Sequence, residues 1–99
     1  MGVRHVVLLT WNDTATEQQK DAAIAALKEL SGLVTGMRAY TVGPDLGVAG
    51  THDAAIVADF DDIEAVKEYM AHPGHRAVVD EHLTPIMNPA SRCQFAIEP

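Results

Sequence analysis

The predicted strand at residues 3–11 (VRHVVLLTW) constrains the fold most, because it is apolar on both of its faces. Successive side chains of a strand point to opposite faces of its sheet. One face therefore carries Val3, His5, Val7, Leu9 and Trp11, and the other carries Arg4, Val6, Leu8 and Thr10. An antiparallel sheet with one face in solvent is polar on that face. We therefore expect helices on one side of the sheet and a different covering on the other.

The remaining patterns alternate between strands and helices. A capping box of Thr16 and Gln19 starts the first helix, and Pro73 ends one helix and opens the next. The predicted elements are strands at 3–11, 37–43, 53–60 and 91–97 and helices at 17–31, from 61 or 62 to 72, and from 73 to about 84. The order β-α-β-β-α-β predicts an α+β, ferredoxin-like subunit with a four-stranded antiparallel sheet. The length predicts a single domain, 1–99.

One face of this sheet lacks a covering helix. We expect Val6, Leu8 and Val42 on that open face, whereas Cys93 and Phe95 are expected toward the helices, with Cys93 buried. An apolar sheet face of this size needs a partner. The sequence therefore predicts a homodimer that forms through the open sheet face.

Composition excludes several classes of function. The chain has 14 acidic residues against seven Lys and Arg, a net charge of -7, and nucleic-acid or anionic-membrane surfaces need clustered cations instead. No apolar run is long enough to span a membrane. A single cysteine rules out an intrachain disulfide and fits a cytoplasmic protein. We expect neither nucleic acid nor membrane as a partner.

The stretch His72-Pro73-Gly74-His75 places two imidazoles three residues apart across a helix junction. With His72 as the cap and Pro73 as the first helical residue, His75 lies in the first turn of the new helix, where the helix dipole disfavours imidazolium. A neutral imidazole is what a general base requires. Tyr69 lies one turn before the break, and its hydroxyl is placed to stabilise an oxyanion or enolate. The alternative is structural, with His72 capping, His75 solvated and Tyr69 packed.

Two other histidines, His5 and His82, are also candidates for chemistry. His5 lies on the helix-facing side of the first strand, where a buried imidazole is commonly a core residue with a satisfied hydrogen bond. His75 and His82 are two helical turns apart but lack a third ligand, because Asp80 and Glu81 are expected to point away. No phosphate loop, nucleophile elbow or metal motif is present. We expect neither a metal nor a cofactor.

The chain resembles the Dabb family, the stress-responsive dimeric α/β-barrel proteins, over nearly its whole length. The resemblance rests on three segments, which are Arg4-His5-Val6-Val7-Leu8, Gly36-Met37-Arg38 and Glu68-Tyr69-Met70-Ala71-His72-Pro73-Gly74-His75. It implies a ferredoxin-like subunit that dimerises sheet to sheet into a barrel. The family is related to cofactor-free polyketide cyclases of the olivetolic acid type.

In that cyclase branch, the histidine matching His75 is the general base, the tyrosine matching Tyr69 assists at the carbonyl, and the histidine matching His5 lies beside the pocket. Aromatic pocket residues of that branch correspond to Ile24 and Leu27, so the pocket of this chain differs in shape. The resemblance therefore implies His75, Tyr69 and His5 as catalytic candidates. The binding candidates are Ile24, Leu27 and His72.

Three functions follow as hypotheses. The first is a dimeric protein that binds a small apolar or aromatic carbonyl compound between sheet and helices. The second is a cofactor-independent acid–base enzyme, similar to a polyketide cyclase, that uses His75 as base and Tyr69 as enolate donor. The third is a purely structural, stress-associated oligomer. A fold alone does not choose among them.

Overall fold

A computed structural model describes residues 1–98 and confirms the ferredoxin-like α+β fold. Four antiparallel strands form one sheet in the order β2-β3-β1-β4. The strands are β1 (Val3–Leu9), β2 (Met37–Pro44), β3 (Ala54–Phe60) and β4 (Ser91–Ala96). The helices are α1 (Glu17–Lys28), α2 (Ile63–Ala71) and α3 (Pro73–Val78), and α3 continues into a π-helical turn (Val79–Leu83). Of the helices in the described part of the chain, none is long and apolar enough to cross a membrane.

The predicted helix starts are confirmed by their caps. Thr16 Oγ1 accepts a hydrogen bond from the backbone N–H of Gln19 at 3.1 Å, and Gln19 Oε1 accepts one from the backbone N–H of Thr16 at 2.9 Å. This reciprocal capping box satisfies backbone donors at the positive end of α1. At α3, Pro73 occupies the first turn and His72 is the cap. Both starts were encoded locally, in residues three positions apart or fewer.

The core lies between the helices and one face of the sheet. Alternate residues of β3 are buried on that face, among them Ala58 and Phe60, each 0% exposed. Val42 pairs with Ile56 of this row and is also buried. The prediction that Val42 lies on the open face was therefore wrong. A register irregularity in β2 between Met37 and Ala39 shifts its alternation, which the sequence pattern did not reveal.

The opposite, open face of the sheet carries an apolar row in this chain. Val6 of β1 lies directly between Val57 of β3 and Cys93 of β4, and Arg4 pairs with Phe95. Directly paired residues share a face of the sheet. Cys93 and Phe95 therefore lie on the open face, and both are exposed, which corrects the expectation that they face the helices. Arg4 also forms a bidentate ion pair with Asp59 across the same face.

The last helical segment differs from the single helix expected as far as Thr84. After α3 the chain widens into the π-helical turn, in which the N–H of Thr84 donates to the carbonyl of Val79, five residues earlier, at 2.8 Å. One extra residue per turn rotates the following side chains relative to a regular helix.

Candidate active site

A cavity of about 280 Å³ lies between the sheet and the helices. Four of the six residues singled out from the sequence line it, and these are His5, Leu27, Tyr69 and His75. Apolar side chains from both layers form most of the remaining wall, including Val7, Leu9, Ile56, Met70, Val79, Leu83 and Met87. The tertiary structure thus brings together residues that are up to 70 positions apart, from 5 to 75, in the sequence.

His75 is held by the end of helix α2. In a continuous helix the Met70 carbonyl would accept the N–H of Gly74, but that N–H instead donates to His72 Nδ1 at 2.9 Å. The Met70 carbonyl is thereby left for His75 Nδ1, 3.1 Å away. A carbonyl only accepts, so Nδ1 carries the proton and Nε2 keeps its lone pair. Nε2 has no hydrogen-bond partner among residues 1–98.

The surroundings of His75 favour its neutral form. Burial lowers the pKa of His75 below its ordinary value, and the positive charges near it, including Arg76 and Arg92, lower it further, although the Met70 carbonyl opposes them. Burial, rather than the helix dipole expected from the sequence, is therefore the main reason why the imidazole is neutral. A neutral imidazole with a free Nε2 can accept a proton from a ligand.

Tyr69 lies at the centre of an aromatic cluster and is 1% exposed. Its ring centroid is 4.5 Å from that of His75, 6.2 Å from that of His5 and 5.4 Å from that of Phe60. In the sheet below, Ala58 pairs with both His5 and Tyr40, and its short side chain leaves room for the ring between them. Burial raises the pKa of the Tyr69 hydroxyl, so it stays protonated and remains a donor.

Tyr40 was not singled out from the sequence, and it flanks Tyr69 at a centroid distance of 6.4 Å. Burial and the neighbouring Tyr69 raise the pKa of its hydroxyl far above the ordinary value. The two hydroxyls approach one another without reaching hydrogen-bond geometry, and the Tyr40 hydroxyl is buried with no partner among the described residues. A buried polar group without a partner is uncommon in a folded protein.

His5 completes the group of titratable side chains at the cavity. Its Nδ1 lies 2.7 Å from Gln94 Oε1, and because an amide oxygen only accepts, Nδ1 carries the proton. Burial lowers the pKa of His5, and the hydrogen bond to Gln94 partly offsets this. This hydrogen bond confirms the expectation that His5 is a buried residue with a satisfied hydrogen bond. His5 also lines the cavity.

Two predicted binding residues lie outside the cavity wall. The imidazole of His72 caps α3 through the N–H of Gly74, and Ile24 packs against the hydrophobic core from α1. His72 therefore acts on the site only through the geometry of the break. Among the described residues, no three His, Cys, Asp or Glu side chains converge as metal ligands.

Three charged residues at the cavity were missed by sequence reasoning. These are Arg76, Asp80 and Arg92, and all three line it. Asp80 had been expected to point away, but it lines the cavity, four residues after Arg76 and on the same side of the helical segment. Arg92 pairs with Val7 and Gln94 pairs with His5, so the polar alternation of β4 faces the helices. The sequence shows that Arg92 and Gln94 alternate with Cys93 and Phe95, which separates the two faces of β4 but does not say which face meets the helices.

The fold of this chain has counterparts in known proteins. HS1 of Arabidopsis thaliana, a stress-response A/B barrel domain-containing protein, is 30% identical over 76 residues, which cover 74% of this chain and 70% of HS1. Olivetolic acid cyclase of Cannabis sativa is 24% identical over 78 residues, covering 76% of this chain and 77% of the cyclase.

A crystal structure of a dimeric ferredoxin-like protein from Thermobifida fusca is also similar, with a TM-score of 0.90 and 39% sequence identity. The alignment covers 98% of this chain and 92% of that one. The family model of the stress responsive A/B barrel domain matches residues 3–95. The chain therefore belongs to the Dabb family.

Proposed function

We propose that this protein binds a small, largely apolar carbonyl compound in the cavity and that His75 acts on it as a general base. The observation that carries the proposal is the arrangement of His75, which lines the cavity. Its Nδ1 is hydrogen-bonded to the Met70 carbonyl, while its Nε2 has no hydrogen-bond partner among the described residues. A cavity of about 280 Å³ is slightly smaller than usual ligand sites of about 300–1,000 Å³. The ligand is therefore small, with one ring or a short chain.

The proposed chemistry is proton transfer next to a carbonyl group. His75 Nε2 takes a proton from the carbon beside the carbonyl, the electron pair of that C–H bond forms a C=C bond, and the π pair of the carbonyl moves to its oxygen to give an enolate. Tyr69 donates a hydrogen bond to the enolate oxygen. The imidazolium then returns the proton to carbon, or the enolate carbon forms a C–C bond to a second carbonyl, whose oxygen takes up the π pair and then the proton from the imidazolium. The name of the relative olivetolic acid cyclase supports ring-closing chemistry of this kind.

Exchange of the methyl protons of acetophenone for deuterium, followed by proton NMR in D₂O, tests the proposal. We expect the wild-type protein to catalyse the exchange and His75→Ala to slow it about 100-fold or more, the usual contribution of a general base. Tyr69→Phe should also slow it, because it removes the enolate donor. His82→Ala is the matched control, since His82 does not line the cavity.

Thermal unfolding of the same variants separates catalysis from structure. The proposal expects His75→Ala to keep a melting temperature close to that of the wild type. Exchange at equal rates in the wild type and His75→Ala would contradict it. A loss of more than about 2 kcal/mol of stability in His75→Ala, with no exchange in the wild type, would favour the purely structural oligomer.

The open sheet face is, we propose, the surface through which two copies of this chain pair. The row formed by Val6, Val57 and Cys93 is apolar, and Phe95 beside it is 48% exposed. Apolar faces of this kind are rarely left in contact with water. The dimeric state of the similar Thermobifida fusca protein supports the pairing.

A further inference from the structure

The arginines of this chain differ in whether an acidic side chain neutralises them. Of four arginines, Arg4 forms an ion pair with Asp59, and Arg38 forms ion pairs with Asp61 and Glu98. Arg76 and Arg92 form no ion pair with any described residue, although the chain has 14 acidic residues. Both of these arginines line the cavity. Lys28 is the other basic residue without an ion pair among the described residues, so two of three such positive charges lie at the cavity of an otherwise acidic protein.

The two arginines reach the cavity from opposite layers of the fold. Arg76 follows His75 in α3, and Arg92 lies on the helix-facing side of β4, opposite Val7. Asp80 is the third charged residue on the wall. Two positive charges and one negative charge leave a net charge of +1 at the cavity. This charge matches a monoanion, whereas a phosphate dianion would be left with an excess negative charge.

We propose that the ligand carries a carboxylate, which Arg76 and Arg92 bind at the edge of the apolar cavity that holds its carbonyl-bearing body. The guanidinium group suits this role because its planar N–H donors match the two oxygens of a carboxylate. The inference rests on the proposed function for the location of the ligand, and it adds the substrate class, a small keto acid. The positive charges would also attract the negative charge that develops on an enolate.

Benzoylacetate and benzoylacetamide are suitable probes, because they have the same size and ketone but differ in charge. We expect titration calorimetry at low salt to show benzoylacetate binding about tenfold more tightly than the amide, the range of a charge-assisted hydrogen bond. The preference should shrink in high salt, which screens exposed charges. Equal binding of the two compounds, or failure of benzoylacetate to bind, would overturn the inference.

Single-charge variants assign the preference to the two arginines. Arg76→Gln and Arg92→Gln should each weaken binding of benzoylacetate about fivefold and leave the amide within about twofold. Lys28→Gln is the matched control, because it removes one positive charge from a residue that does not line the cavity. An equal loss in Lys28→Gln would show a general charge effect and overturn the assignment. All three positions are exposed, so the variants should fold, which circular dichroism can check.

Two further outcomes distinguish this inference from the proposed function. Displacement of benzoylacetate by excess inorganic phosphate would identify a phosphate subsite and overturn the carboxylate. Acetophenone has no carboxylate, so its His75-dependent exchange tests the proposed function alone. If that exchange occurs but the acid and amide bind equally, only the inference fails. If the acid preference holds without exchange, the carboxylate subsite stands and the catalytic proposal fails.

Discussion

At the residue scale, His75 owes its reactive lone pair to the way in which α2 ends. His72 Nδ1 accepts a hydrogen bond from the N–H of Gly74, which leaves the Met70 carbonyl free to accept one from His75 Nδ1. The proton of the His75 imidazole is therefore on Nδ1, and Nε2 keeps its lone pair. The sequence supplied His72, Pro73 and His75 as candidates, and their spacing correctly predicted the cap. It could not predict the Met70 contact, because that contact depends on a side-chain rotamer set by the fold.

Removing the Tyr40 hydroxyl should not destabilise the protein. Because this hydroxyl is buried without a partner in the described chain, Tyr40→Phe removes a desolvated polar group and keeps the ring. We expect the free energy of unfolding, measured with urea, to be unchanged or to rise by up to about 1 kcal/mol. A clear decrease would show that the hydroxyl forms a hydrogen bond after all, for example with Tyr69.

At the element scale, the junction of α2 and α3 decides where the site residues lie. Tyr69 and His75 belong to different helices, yet their ring centroids are only 4.5 Å apart because the chain breaks between them. The π-helical turn that follows contributes Val79, Asp80 and Leu83 to the cavity wall. Helix breaks at proline are predictable from local sequence, whereas a π turn is stabilised by tertiary packing and left no recognisable pattern here.

Loss of the His72 cap should loosen this junction. His72→Ala leaves the N–H of Gly74 without its acceptor, and we expect a loss of about 1 kcal/mol of stability, typical of a removed helix cap. His72→Asn is the matched control, since asparagine also caps helices well. Urea unfolding measures both variants. Equal destabilisation by the two substitutions would show that imidazole packing, rather than capping, is the contribution of His72.

At the scale of the whole molecule, two imidazoles at the cavity couple stability to pH. The folded-state pKa values of His5, which is buried, and of His75, which is partly buried, lie below the ordinary value of 6.5, mainly because of desolvation. Between those values and pH 6.5 the unfolded chain binds more protons than the folded one, so stability rises with pH in that window. Their stabilising contribution is complete above pH 6.5 and is lost as the pH falls through the folded-state pKa values.

We therefore expect the free energy of unfolding to decrease below about pH 6.5. Urea titrations at a series of pH values measure this decrease, and His75→Asn should make it smaller because one of the two imidazoles is removed. Exchange activity should persist at pH 6.5 and fall only in more acidic solution, as His75 is protonated. Stability that increased on acidification would contradict the assignment of neutral imidazoles.

Dimerisation is the second prediction at this scale. Val57→Lys places a charge in the centre of the open sheet face, opposite Val6, and should shift the protein to monomers because burying an unpaired charge is costly. Sedimentation at micromolar concentration measures the change. Lys67→Gln on the outer side of α2, which is exposed, serves as the control. A wild-type protein that is already monomeric would exclude pairing through this face.

The sequence by itself determined the order of the elements, their caps and the fold, because alternation, helical periodicity and proline act over a few residues. The Dabb resemblance also followed from short motifs, and the family match confirms it. Only the tertiary structure decided which side of β4 faces the helices, where Asp80 lies and that Arg76 and Arg92 remain without ion pairs beside the cavity. Those features depend on strand register and on contacts between distant segments, whose energies no local pattern contains.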